Sequence, residues 1–68
     1  MTIMKVYEKI RAYINENELD HTTIAKMTGI EQVAFSEILE GKRILNSDDF
    51  RAICLVLNVY PEKFIGWL

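Results

Sequence analysis

The chain has 68 residues, enough for one hydrophobic core and too few for two. Half of them are apolar and a quarter are charged, with eight Lys and Arg against ten Asp and Glu and a net charge of −2, which excludes a disordered polyelectrolyte and a strongly basic protein. One cysteine, Cys54, and one histidine, His21, exclude an intramolecular disulfide and leave too few ligands for a structural zinc site.

These absences lead to the expectation of a single domain over residues 1–68 in a reducing, cytoplasmic setting. Lys5 follows Ile3 closely, no apolar leader segment comes after it, and no run approaches the ~18 apolar residues of a membrane span. No targeting segment and no membrane contact are expected.

Helical spacing runs through the whole chain, and strand-like alternation is absent. Ile3, Val6, Tyr7, Ile10, Tyr13 and Ile14 recur at steps of three and four, opposite Lys5, Glu8, Lys9 and Arg11, which predicts an amphipathic first helix fading at Asn15–Asn17. Asp20 suits the cap of a second, short helix, because its carboxylate can accept from the free amides of Thr22 or Thr23. Ile24, Ala25 and Met27 are expected to face inward from that helix, and Gly29 to stop it.

A third helix is predicted from about Glu31 to Glu40, with Phe35, Ile38 and Leu39 as its apolar stripe and Gly41 as its end. After the polar turn Lys42–Asn46, Ser47 reads as the next cap, and Asp48 and Asp49 complement the positive end of that helix. Phe50, Ile53, Cys54, Val56 and Leu57 form its buried face, which makes Cys54 an inert core residue. Asn58 tolerates a left-handed end, and Pro61 opens a last helix holding Glu62, Lys63, Phe64, Ile65, Trp67 and Leu68. Tyr7, Tyr13 and Tyr60 read as amphipathic packing residues. The expected fold is all-α, with five helices.

The stretch from Leu19 to Phe64 carries a more specific pattern. Ile24-Ala25 lies inside a short helix, Gly29-Ile30 makes a turn, Phe35 and Ile38 anchor the next helix, and Gly41-Lys42-Arg43 follows it. This arrangement resembles the Cro/repressor (XRE-type) helix-turn-helix family, and Phe50, Ile53-Cys54 and Leu57-Asn58-Val59 are similar to that family's fourth helix and its ending. His21 stands where the family often has glutamine, and Leu39 where it often has glutamate. The resemblance implies a lambda-repressor-like fold in which helices two and three cross at a small residue and a glycine turn, here Ala25 and Gly29. It also implies a DNA-binding transcriptional regulator that docks its third helix in the major groove, as a homodimer on paired half-sites.

With Phe35, Ile38 and Leu39 inward, helical geometry puts Gln32, Val33, Ser36, Glu37 and Glu40 on the outer surface. By resemblance, Gln32, Val33, Ser36 and Glu37 fall where bases are read. Glutamine suits adenine, valine a thymine methyl, serine either a base or a phosphate, and glutamate the amino group of cytosine. His21, Thr22, Lys26, Lys42 and Arg43 fall where the DNA backbone is touched. The plain alternative is a solvated helix face, with His21 merely exposed at a helix start.

Glu31, Glu37 and Glu40 oppose Lys26, Lys42 and Arg43, so the field over this face is near neutral. That balance keeps a second function open: an adaptor, antitoxin-like partner or antirepressor that uses the same fold to meet a protein. An enzyme is not expected. The chain has no acid/base set beside a nucleophile, no phosphate-binding loop and no metal-ligand spacing, so no cofactor, metal or small-molecule substrate is implied. Phe64, Ile65, Trp67 and Leu68 crowd the carboxy terminus, where they predict a homodimer interface; the intramolecular alternative folds Trp67 onto Tyr7 or Ile10.

Overall fold

The computed structural model describes residues 5–65, which form five α-helices and, among these residues, no strand. They are α1 (Val6–Glu16), α2 (His21–Thr28), α3 (Gln32–Leu39), α4 (Ser47–Leu57) and α5 (Glu62–Ile65). The all-α expectation and the order of elements hold. Met1–Met4 and Gly66–Leu68, and with them the proposed roles of Trp67 and Leu68, lie outside the described residues.

Three of the helices begin with a local side-chain contact. At α1 the Glu8 carboxylate accepts the Lys5 amide at 2.8 Å. At α2 the Asp20 carboxylate accepts the Thr22 amide at 3.3 Å and the Thr23 hydroxyl at 2.8 Å. At α4 the expected cap is displaced by one residue. Asn46 caps the helix by accepting the Asp49 amide at 2.8 Å, and Ser47 is its first helical residue. Serine and asparagine both cap well, and the helix takes the earlier of the two neighbours as its cap.

Three helices end in the same way. After α3, Lys42 N–H donates to the Glu37 carbonyl at 2.8 Å and Gly41 N–H to that of Ile38 at 3.1 Å, with Gly41 left-handed at φ 77°. After α4, Val59 and Asn58 donate to Cys54 and Leu55, with Asn58 at φ 59°. After α1, Leu19 and Glu18 donate to Ile14 and Asn15, with Glu18 at φ 53°. The first of these pivots is glycine and the second asparagine, both visible as stops in the sequence. The third is a glutamate, which has no such preference.

The core gathers Ile10 and Ile14 of α1, Ile24 and Ala25 of α2, Phe35 and Leu39 of α3, Ile53, Cys54 and Leu57 of α4, and Phe64 of α5. Helix α2 packs most closely on α4 and also on α3, while α1 bridges α3 and α5. Arg11 of α1 reaches across to donate to the Leu39 carbonyl at 3.1 Å. Cys54 is a free, buried thiol, and its pKa is raised by burial first and by the charge of Glu62 second.

Three expectations are corrected here. Met27 is 64% exposed, because the inward stripe of α2 is His21, Ile24, Ala25 and Thr28, and residue 27 falls off it. Tyr60 is 82% exposed at the α4–α5 turn and packs little. Phe64 does not project from the surface. It is buried between Tyr13 and Phe50, with ring centroids 5.8 and 6.4 Å away in edge-to-face arrangements. A chain this short uses its largest apolar side chains for its own interior first. Of the expected dimer residues, Ile65 remains exposed.

Candidate nucleic-acid interface

The candidate site is built by α2, the turn Gly29–Glu31 and α3. Thr28 closes α2 by donating its hydroxyl to the Ala25 carbonyl at 2.8 Å, and it accepts the Ile30 amide at 3.2 Å. Gly29 takes φ 81° between them, and Ile30 drops against the core. The turn is therefore pinned by a side chain, a left-handed residue and an apolar anchor within three positions.

That turn brings the first turns of the two helices together. Gln32 Nε2, at the start of α3, donates to the Thr22 hydroxyl at 3.0 Å, at the start of α2. Two helix amino termini, each carrying a partial positive charge, thus lie side by side on one surface. Along α3, Val33 and Ser36 are exposed and Glu37 is partly exposed, while Phe35, Ile38 and Leu39 are buried as expected. Lys26 is exposed one helical turn beyond Thr22, on the same side of α2.

The far end of α3 carries the charge pairs. Arg43 donates from Nε at 3.2 Å and from Nη2 at 3.0 Å, both to Glu37 Oε1. Lys42 Nζ lies 3.1 Å from Glu40 Oε1. Both pairs stand in solvent, where such contacts contribute little to stability, about 0–1 kcal/mol each at most. Their effect is on the surface potential: two cations expected at the phosphate turn are each matched by a carboxylate from α3 or its end. Spacing alone did not reveal this, because Glu37 and Arg43 are six positions apart, with the left-handed Gly41 between them.

Asp20 holds the first turn of α2 through Thr22 and Thr23. Its carboxyl is held below the ordinary 3.8 by the Thr23 hydroxyl first, then by the amides of Thr22 and Thr23 and by His21, against an opposing desolvation. His21 is half-buried, where the resemblance implied a DNA-backbone contact and the plain alternative an exposed ring. Its ring stands edge-on to Phe35 at 6.4 Å, and Nε2 lies 3.3 Å from Asn15 Oδ1. The imidazole therefore ties α2 to α1 and α3, and its role includes packing.

The structure thus unites Thr22 with Gln32 and Glu37 with Arg43 on one surface, and places Ile65 outside these contacts. Among the described residues, no group of three or more His, Cys, Asp or Glu is placed to hold a metal ion, and no helix is long and apolar enough to cross a membrane. The class this geometry defines is an all-helical domain with two short helices joined at a pinned turn. No protein-family model, curated protein or solved structure matches the chain.

Proposed function

We propose that the protein is a cytoplasmic, sequence-specific DNA-binding transcriptional regulator of the Cro/repressor class. In this reading α2 and α3 are the helix-turn-helix of a lambda-repressor-like fold, α3 lies in the major groove, and two copies read two half-sites. The observation that carries it is the Thr22–Gln32 hydrogen bond, which joins the first turns of α2 and α3 and leaves Val33 and Ser36 exposed beside them. An eight-residue helix is ~12 Å long, comparable with the width of the major groove. Gln32, Val33, Ser36 and Glu37 are the base-facing residues, and His21, Thr22, Lys26, Lys42 and Arg43 the backbone-facing ones.

A second reading rests on the charge pairs. Because Lys42 and Arg43 already contact Glu40 and Glu37, the face presents little net positive charge, as suits a protein-binding adaptor.

Fluorescence anisotropy with labelled duplex DNA at two salt concentrations separates the two. The regulator reading expects binding that weakens as salt rises, with the slope reduced by about two at most when Lys42 and Arg43 are both changed to alanine. Absence of binding at low salt rejects the regulator and favours the adaptor.

A further inference from the structure

Both hydrogen bonds from Arg43 fall on Glu37 Oε1, and among the described residues none falls on Oε2. The guanidinium approaches one oxygen with two of its N–H groups and leaves the other as a free acceptor on a partly exposed side chain of α3. A lone carboxylate in the major groove would be repelled by the phosphates on both sides. A carboxylate already matched by a guanidinium is close to neutral as a unit, and its open oxygen still accepts.

We propose that Arg43 and Glu37 act as one recognition unit, in which Arg43 positions the Glu37 carboxylate so that Oε2 accepts a hydrogen bond from the exocyclic amino group of cytosine in the major groove. The inference rests on the regulator reading and deepens it, giving Arg43 the task of positioning the carboxylate expected to read cytosine. An acceptor-only group selects for donors, and cytosine N4 offers a major-groove donor without an acceptor on the same base. Guanine and thymine present only acceptors to it, and adenine pairs its donor with the N7 acceptor. Arg43 is a positioning residue in this scheme. Its contribution is to orient the carboxylate and cancel its charge, a role that takes the place of the DNA-backbone contact otherwise assigned to Arg43.

The two roles separate in selection from a randomised duplex library at fixed salt, followed by anisotropy on the selected sites. Wild type is expected to favour cytosine by about tenfold at one position of each half-site. Glu37→Gln should move that preference to adenine, which glutamine pairs in a bidentate way. Arg43→Met should abolish the preference at that position alone, leaving the remaining positions as in wild type. Arg43→Lys, which restores charge without the forked geometry, should recover it in part. Arg43 is exposed and Glu37 partly exposed, so circular dichroism should show all three variants folded.

An even loss of affinity on every sequence in Arg43→Met, with the cytosine preference intact, would make Arg43 a phosphate contact and overturn the inference alone. A wild-type site in which no position responds to Glu37→Gln would overturn it as well. A wild-type chain that binds no duplex overturns the regulator reading and this inference with it.

Discussion

Arg11 Nη1 donates to the Leu39 carbonyl at 3.1 Å, linking residues 28 positions apart and joining the middle of α1 to the last turn of α3. The carbonyl belongs to the negative end of the α3 dipole, where a cation is favourable, and the contact is partly buried. The guanidinium also lies 5.9 Å from the Tyr7 ring centre, which holds it over α1. Arg11→Met keeps most of the aliphatic stem and removes the charged donor. The expected cost is about 1–2 kcal/mol, read as a lower urea midpoint with an unchanged slope. A stability equal to wild type would mean that water replaces the guanidinium without loss.

Tyr7 and Gly41 make a second long-range fit. A Cβ at Gly41 would lie 2.5 Å from Tyr7 Cζ, and Gly41 is left-handed at φ 77°. At Gly29 the backbone is similarly left-handed, at φ 81°, but a Cβ would meet nothing within 4 Å. Gly29→Ala should therefore cost about 1–2 kcal/mol from backbone strain alone, and Gly41→Ala more. In a Tyr7→Ala background the excess at Gly41 should vanish, because the ring is gone. A double-mutant cycle by chemical denaturation reads the difference directly. The converse change is expected at Glu18, where φ 53° strains a glutamate: Glu18→Gly should stabilise by up to about 1 kcal/mol.

The Asp20 cap predicts a pH dependence. Its carboxyl titrates below 3.8 in the folded protein, so the unfolded chain binds the proton more readily. The contribution of the cap is complete above the unfolded value and is lost as pH falls through the depressed folded value. Thermal unfolding of wild type followed at pH 6 and at pH 3 should show a fall that Asp20→Asn does not share to the same extent. The asparagine still caps the helix and cannot titrate. Equal falls in both proteins would assign the acid sensitivity to other carboxylates.

Phe64 separates folding from association. Buried against Tyr13 and Phe50, it should cost about 3–5 kcal/mol on replacement by alanine, at any protein concentration. On the usual scale of about 0.1 kcal/mol per residue, that is a large part of the stability of so small a domain. Phe64→Leu should lose less and remain folded. If the loss instead depends on protein concentration, the ring is at an interface in solution.

Helix α5 closes over that ring with help from Lys63, whose Nζ sits 5.1 Å from the Tyr13 ring centre. This pairing of a terminal helix with α1 joins residues 50 apart in sequence, beyond the reach of any local pattern.

The sequence alone determined whatever depends on neighbours three or four residues away. The buried stripe Phe35, Ile38 and Leu39, the cap at Asp20, the stops at Gly29, Gly41 and Asn58, and the five helices among the described residues all follow from helical periodicity and turn chemistry. The exposed set Gln32, Val33 and Ser36 followed from the same periodicity. Tertiary structure decided the questions in which two elements compete for one side chain. It turned His21 onto Phe35 and Asn15 and drew Phe64 inward. It also matched Arg43 with Glu37 and bonded Gln32 to Thr22. Periodicity states which face of a helix is apolar, but partners and pairings depend on how the helices cross. That crossing is set by the packing of the whole core.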